Sequence, residues 1–242
     1  MFKNKKLFII TLVLTLFIFT GCSNKMQVKD FFEKSKEASD KIQSFILDTE
    51  TKNEIDGKIK SQLIHAELLN NANTKKIKKG KGSVKYKGAR EKGEVDCDIV
   101  FVGDAKNTLI TTFKENGKDK ETKKENSKYR VTPDYYELMD GIYTLKEKDL
   151  ILEEENDEYH LKLKSENKNF KVFDILKSQY GLNLGNVYED EVDVKFKAVF
   201  DKKTFYLKSI VWSIEYNGNK GAFKLENTTT YSDWDNVNLD KK

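Results

Sequence analysis

The residues able to do chemistry are few and scattered. The 242-residue chain holds two cysteines and two histidines. His65 and His160 fall in separate stretches of alternating apolar and polar residues. His160 alternates outward from Tyr159, Leu161 and Leu163, the place of a satisfied or solvated imidazole, not of a base or ligand. No His-Glu-x-x-His, paired Cys-x-x-Cys or calcium-loop spacing occurs. Ser165 and Lys168 have the spacing of a serine–lysine nucleophile and base, but they sit in a polar connection of a lysine-rich chain, where such a match arises by chance. Gly80-Lys81-Gly82 lacks the remainder of any phosphate-cradling loop. The acids Glu147, Asp149, Glu153, Glu154, Glu155, Asp157 and Glu158 flank a hairpin, which reads as a solvated face. The expectation is a non-enzymatic protein without cofactor or metal site.

One position carries a specific signal. Lys3, Lys5 and Lys6 precede the uncharged, mostly apolar run Leu7 to Phe19, and Thr20-Gly21-Cys22 follows. A basic start, a short apolar run and small residues before a cleavage point make a secretory signal peptide. The run falls short of the roughly 20 apolar residues that cross a bilayer. Its Phe19-Thr20-Gly21-Cys22 end resembles a bacterial lipobox, in which diacylglycerol is attached to the cysteine thiol and cleavage leaves that cysteine first. This implies a signal peptide over 1–21, a lipidated tether over 22–27, and acyl chains such as palmitate holding the exported protein on the outer face of the cell membrane. Ordinary cleavage with Cys22 incidental, or an uncleaved anchor, are the alternatives.

Removing residues 1–21 lowers the formal charge from +4 to +1, since three lysines leave with them. The basicity belongs to the leader and gives no argument for a nucleic-acid partner. With Cys22 used by lipid, Cys97 stands alone and no internal disulfide is possible. It shares a strand face with Val95, Ile99 and Phe101, as a buried small hydrophobe would. Charged residues make up 35% of the sequence, so the core of the single domain expected over 28–242 should be thin.

The elements follow from periodicity. Val28, Phe31, Phe32, Ser35, Ala38, Ser39 and Ile42 recur at helical spacing, and such a helix is stable only when docked. Strands are predicted over Ser44 to Ile55 and Lys58 to Leu69, split at Asp56-Gly57. Residues 75–92 hold nine basic residues against Glu91; they read as a solvated turn beside an edge strand guarded by lysines, with Val84 and Tyr86 inward, or as a patch for anionic polymers or headgroups. Glu94 to Val102 and Asn107 to Phe113 alternate, and Asn116-Gly117 signals a hairpin. Thr132-Pro133-Asp134 predicts a helix capped by Thr132 that carries Tyr135, Tyr136 and Met139 and ends near Gly141. A hairpin turns at Asn156-Asp157, and a helix over Phe170 to Tyr180 stops at Gly181. A three-stranded meander closes the chain: Val192 to Phe200, Tyr206 to Tyr216 turning at Asn217-Gly218, and Phe223 to Tyr231.

This element order suits a curved antiparallel sheet whose apolar face is partly covered by helices. Lipobox, amphipathic helix, paired long strands, the Pro133 helix and a meander ending Tyr231-Ser232-Asp233-Trp234-Asp235-Asn236-Val237 are similar to the LolA-like lipoproteins of Gram-positive bacteria, themselves similar in architecture to the LolA/LolB and LppX/LprG lipid binders. The resemblance implies an α+β fold, an unclosed β-barrel with helices on its concave face, and a monomer with a hydrophobic, lipid-like ligand between sheet and helices. The candidate lining is Phe101, Tyr135, Tyr136, Met139, Phe196 and Trp212, although each is equally placed to be core. The alternative is a tethered interaction module that binds a protein or wall polymer through residues 75–92.

Overall fold

The computed structural model describes residues 25–71, 73–88, 96–102, 108–115, 118–125, 131–164 and 170–239. Helix α1 (Val28–Ser39) is followed by strands β1 (Ser44–Ile55), β2 (Lys58–Asn70), β3 (Ile77–Lys87), β4 (Asp96–Val102), β5 (Thr108–Glu115) and β6 (Lys118–Lys124). Helix α2 (Tyr135–Tyr143), β7 (Leu150–Glu155), β8 (Glu158–Leu163), helix α3 (Phe170–Tyr180), β9 (Asp193–Asp201), β10 (Leu207–Gly218) and β11 (Gly221–Ser232) complete it. The strands form one 11-stranded sheet in the order β6-β5-β4-β3-β2-β1-β11-β10-β9-β8-β7. Because β6 and β7 end that order unpaired with one another, the sheet is unclosed. Among the described residues, no helix is long and apolar enough to cross a membrane.

Strict alternation gives the sheet one apolar face. Val192, Val194, Phe196, Ala198 and Phe200 on and beside β9 are buried, as are Ile210, Trp212, Ile214 and Tyr216 on β10. Burial of each such large side chain contributes about 1.5–3 kcal/mol. The first strand pairs with the last, Leu47 opposite Tyr231 and Thr49 opposite Thr229, so the chain's two ends share one core. Helix α1 buries Phe31 completely; its ring meets Phe200 at 4.9 Å and Tyr159 at 5.5 Å, both edge-on. Ser35 and Ser39 lie in the apolar stripe of α1 because their hydroxyls bond Tyr143 Oη at 3.0 and 3.1 Å, while Ser39 also meets Tyr135 Oη at 3.0 Å.

Several expectations are corrected. Strand β3 is not an edge: it pairs with β2 on one side and β4 on the other. The cap of α2 is Asp134, whose Oδ1 accepts from the Tyr136 and Glu137 N–H groups at 3.1 Å; Thr132 and Pro133 precede the helix. Gly141 lies inside α2, which runs to Tyr143 and is capped by Thr144. The reason is close approach, since a Cβ at Gly141 would sit 2.9 Å from Ile175 Cγ1 on α3. The last hairpin turns at Asn219-Lys220, with Asn217 and Gly218 still paired to Ala222 and Gly221. There Tyr216 Oη donates to Asn219 Oδ1 and accepts from the Lys220 N–H, each at 3.1 Å. A Cβ on Gly218 would strike that hydroxyl. A bulge between Leu207 and Ser209 starts β10 with Leu207 buried, leaving Tyr206 before it.

Two predictions follow from this packing. Gly141→Ala should destabilise the protein by about 1–3 kcal/mol in urea unfolding, the usual cost of overpacking. In an Ile175→Ala background the same change should be neutral or stabilising, because the clash is gone and alanine favours helix by about 1 kcal/mol. The second concerns alkali. Burial pushes the phenols of Tyr136 and Tyr143 up to about 12 and raises Tyr135 and Tyr231 well above their ordinary value. The unfolded chain loses these protons first, near the ordinary value of 10.0. Their stabilisation is therefore complete below that pH and is lost as pH rises towards about 12. The urea midpoint should fall across that window in step with tyrosinate absorbance, and Tyr143→Phe should blunt the fall.

Candidate functional site

The helices pack over one half of the apolar face. Their buried residues share a cluster with β1, β2 and β7–β11, and on β2 the cluster includes Ala66 and Leu68. Beyond β2 the same face continues by register. Thr49 stands opposite Ile64, Ile64 opposite Val84, Val84 opposite Cys97, and Cys97 opposite Phe113. One pair along, Ala66 stands opposite Gly82, Gly82 opposite Ile99, and Ile99 opposite Thr111. Cross-strand partners share a face, so these positions prolong the core face by register. They are not covered like it: Ile64, Val84, Ile99 and Leu109 are half-buried, and Tyr86 and Phe113 are 40% and 39% exposed. The apolar surface ends at β6, where the exposed Lys124 and Lys120 stand opposite Leu109 and Phe113.

A polar seam on β1 and β11 interrupts the apolar face between Ile210 and Trp212 of β10 and Ile64 of β2, while the core stays continuous from Leu47 to Ala66. Thr49, Asn227 and Thr229 are buried, yet their groups are matched. Asn227 Nδ2 donates to Thr51 Oγ1 at 2.9 Å, Thr229 Oγ1 donates to Asn227 Oδ1 at 2.8 Å, and the Thr49 and Thr229 hydroxyls bond one another. Tyr180 Oη, from the end of α3, reaches Thr229 Oγ1 at 3.3 Å; burial pushes its phenol up to about 12. Since an unmatched hydroxyl or amide in an apolar setting costs about 1–3 kcal/mol, a satisfied seam lets apolar surface lie beside it.

Five of the six expected lining residues come together. Tyr135, Tyr136, Met139, Phe196 and Trp212 belong to the buried cluster and are at most 6% exposed. Tyr135 contacts Phe45, Tyr231 and Trp234 at ring separations of 5.2, 5.4 and 5.3 Å, and Trp212 meets Tyr180 at 5.0 Å. Phe101 is buried on β4, between Gly80 and Leu109 in register, apart from that cluster. Sequence reading missed Ile64, Leu109 and Phe113 as candidate surface. Alternation placed residues of this kind on the inner face, but nothing local tells how far the helices reach.

His160 is the satisfied, not the solvated, kind of outward histidine expected. It does face away from the helices, yet it is only 5% exposed. Val199 stands opposite it, Nε2 bonds Glu158 Oε2 at 3.0 Å, and Nδ1 lies 3.1 Å from Glu155 Oε2 outside hydrogen-bond geometry. His65 Nδ1 meets Asp48 Oδ1 at 2.7 Å. Among the described residues, no group of His, Cys, Asp and Glu side chains is placed to hold a metal. The basic segment is partly neutralised, with Lys75 paired to Asp40 and Lys81 to Glu67 at 3.1 Å. Cys22, Ser165 and Lys168 lie outside the described residues, as does the side chain of Cys97.

No family model matches the sequence, and no curated protein matches it. Among solved structures, a DUF1329 family protein from Desulfovibrio piger is similar at 9% identity and a TM-score of 0.24, covering 86% of this chain and 92% of that one. A domain assigned as an outer membrane lipoprotein-sorting protein, from Vibrio parahaemolyticus, is similar at 7% identity and a TM-score of 0.26, covering 86% and 94%. A porin-like protein from Bacteroides uniformis is similar at 9% identity and a TM-score of 0.23, covering 76% and 95%. At these values the likenesses carry no argument about what this chain does.

Proposed function

We propose that this protein is a non-enzymatic lipoprotein of the cell surface, anchored through Cys22, whose LolA-like sheet binds or carries a hydrophobic, lipid-like ligand. One observation supports the binding role above the rest: the apolar face runs past the helix-covered core onto β3, β4 and β5, where Val84, Ile99, Leu109 and Phe113 stay half-covered or exposed. An acyl chain laid there would contribute about 25 cal/mol for each Å² of apolar surface removed from water. The Lys120 and Lys124 side chains at the β6 margin would stay in solvent. The packed cluster around Tyr135 and Trp212 then serves as the wall beside the ligand, not its container.

Purified protein should carry co-purifying lipid in native mass spectrometry and take up a fluorescent fatty acid. Ile99→Ser combined with Phe113→Ser should reduce uptake at least tenfold. The urea midpoint should change little, because neither residue belongs to the buried cluster. Absence of both bound lipid and uptake would refute the carrier. The anchor is tested apart from the ligand: Cys22→Ala should abolish palmitate labelling and move the protein from the membrane fraction to the medium. Unchanged labelling would remove the anchor and leave the binding face standing.

A further inference from the structure

Towards the β1–β2 hairpin, the half-covered apolar face gives way to polar and basic residues. Ile64 stands between Thr49 and Val84 in register. Two residues nearer the hairpin, Gln62 stands between Thr51 and Tyr86, and its Nε2 donates to Tyr86 Oη at 2.9 Å. Beyond it Lys60 stands opposite Asn53, and Lys58 opposite Ile55. Side chains two apart along a strand share a face, so both lysines project from the face that carries Ile64 and Val84. At 3.3 Å per residue, Lys60 lies about 13 Å from Ile64 along β2.

A pocket of about 230 Å³ opens at this end, lined by Asn53, Ile55, Asp56, Lys58 and Lys60. It is smaller than the roughly 300 Å³ of a whole ligand site, a size for one polar group. Other lysines on these strands are answered: Lys52 meets Glu50 at 3.2 Å on the outer face, and Lys81 meets Glu67 at 3.1 Å. Among the described residues, neither Lys58 nor Lys60 has such a partner. The acid of the pocket, Asp56, has its Oδ1 turned to the neighbouring β10–β11 hairpin, where a Cβ on Gly221 would lie 3.6 Å from it. Asn53 Oδ1 is buried with no hydrogen-bond donor among the described residues. A buried acceptor left unmatched costs about 1–3 kcal/mol, so this oxygen calls for a donor from outside the protein.

We propose that this pocket takes the anionic headgroup of a phospholipid whose acyl chain lies over Ile64, Val84, Ile99 and Phe113. The assignment rests on the lipid-binding reading above and adds the class of headgroup to it. Lys58 and Lys60 hold the phosphate as charge-assisted donors, and Asn53 Oδ1 accepts from a headgroup hydroxyl. The chain then passes the Gln62–Tyr86 pair onto the apolar strands. Polar and apolar ends of the face thus match the two ends of one amphiphile.

The test is native mass spectrometry of the full-length protein in detergent, offered equal amounts of phosphatidylglycerol and phosphatidylcholine with identical acyl chains. Phosphatidylglycerol should be bound at least tenfold in preference, and the preference should narrow as ammonium acetate is raised. The double variant Lys58→Gln, Lys60→Gln should bind the two lipids equally while keeping the wild-type occupancy of phosphatidylcholine, which also shows that it is folded. Lys85→Gln with Lys87→Gln, the same change of charge on the outer face of β3, should keep the preference. Binding of both lipids without preference by the wild type would overturn the headgroup site and leave the lipid face standing. So would a preference that survives in the Lys58, Lys60 variant or is lost equally in both variants. Binding of neither lipid would overturn the lipid face and the headgroup site together.

Discussion

Two phenolic hydroxyls buried beneath α1 hold the molecule in one arrangement. Tyr135 Oη bonds Ser39, and Tyr136 Oη donates to the Ile42 carbonyl. A hydroxyl taken from water without a partner costs more than most single contacts supply. Helix α2 therefore has one favourable position against α1 and the start of β1. That position sets Tyr135 against Phe45, Tyr231 and Trp234, which closes the core where the first and last strands meet. The half of the sheet covered by helices follows from this docking, and so does the half left open.

Strand identity was legible because each strand carries its own alternation. The meander from Val192 to Tyr231 reads its inward residues without error along β9 and β11, and β1 and β2 fall where Asp56-Gly57 divides them. The failures share a physical cause. Gly141 resembles a helix stop until Ile175 of α3 is seen against it. Asn217-Gly218 resembles a turn until the Tyr216 hydroxyl claims the next two residues. The lysines of β3 resemble edge protection, yet Lys81 faces Glu67 of β2 across an interior pair. In each case a partner distant in sequence or hidden by register decides the outcome. The same holds for the candidate site, since Phe113 and Tyr135 are both apolar and inward, and only the extent of the helices separates exposed from buried.

The buried seam of Thr49, Asn227 and Thr229 explains how one continuous face supports two environments. Its amide and hydroxyls are satisfied among themselves and by Tyr180, so it needs no water on either side. An apolar residue in this row would extend the tightly packed core. The polar row instead interrupts the core on β1 and β11, beyond which Ile64, Val84 and Ile99 are half-covered, while Ala66 and Leu68 keep the core continuous onto β2 at the other end of the strand.

This division also separates stability from adaptability. Cooperative strength resides where helices and sheet bury side chains on both partners, from β7 across to β2. Apart from the buried Phe101, strands β4 to β6 are held among the described residues by backbone ladders and half-covered side chains, with Thr111, Thr122 and exposed lysines towards the β6 edge. Segments with few buried apolar contacts open at lower free energy than the core. The ligand face we propose lies on such strands, where fitting a ligand does not require repacking the cluster that keeps the protein folded. Placing the half-covered surface on β3–β5, with charged β6 blunting the free edge against other sheets, meets both demands.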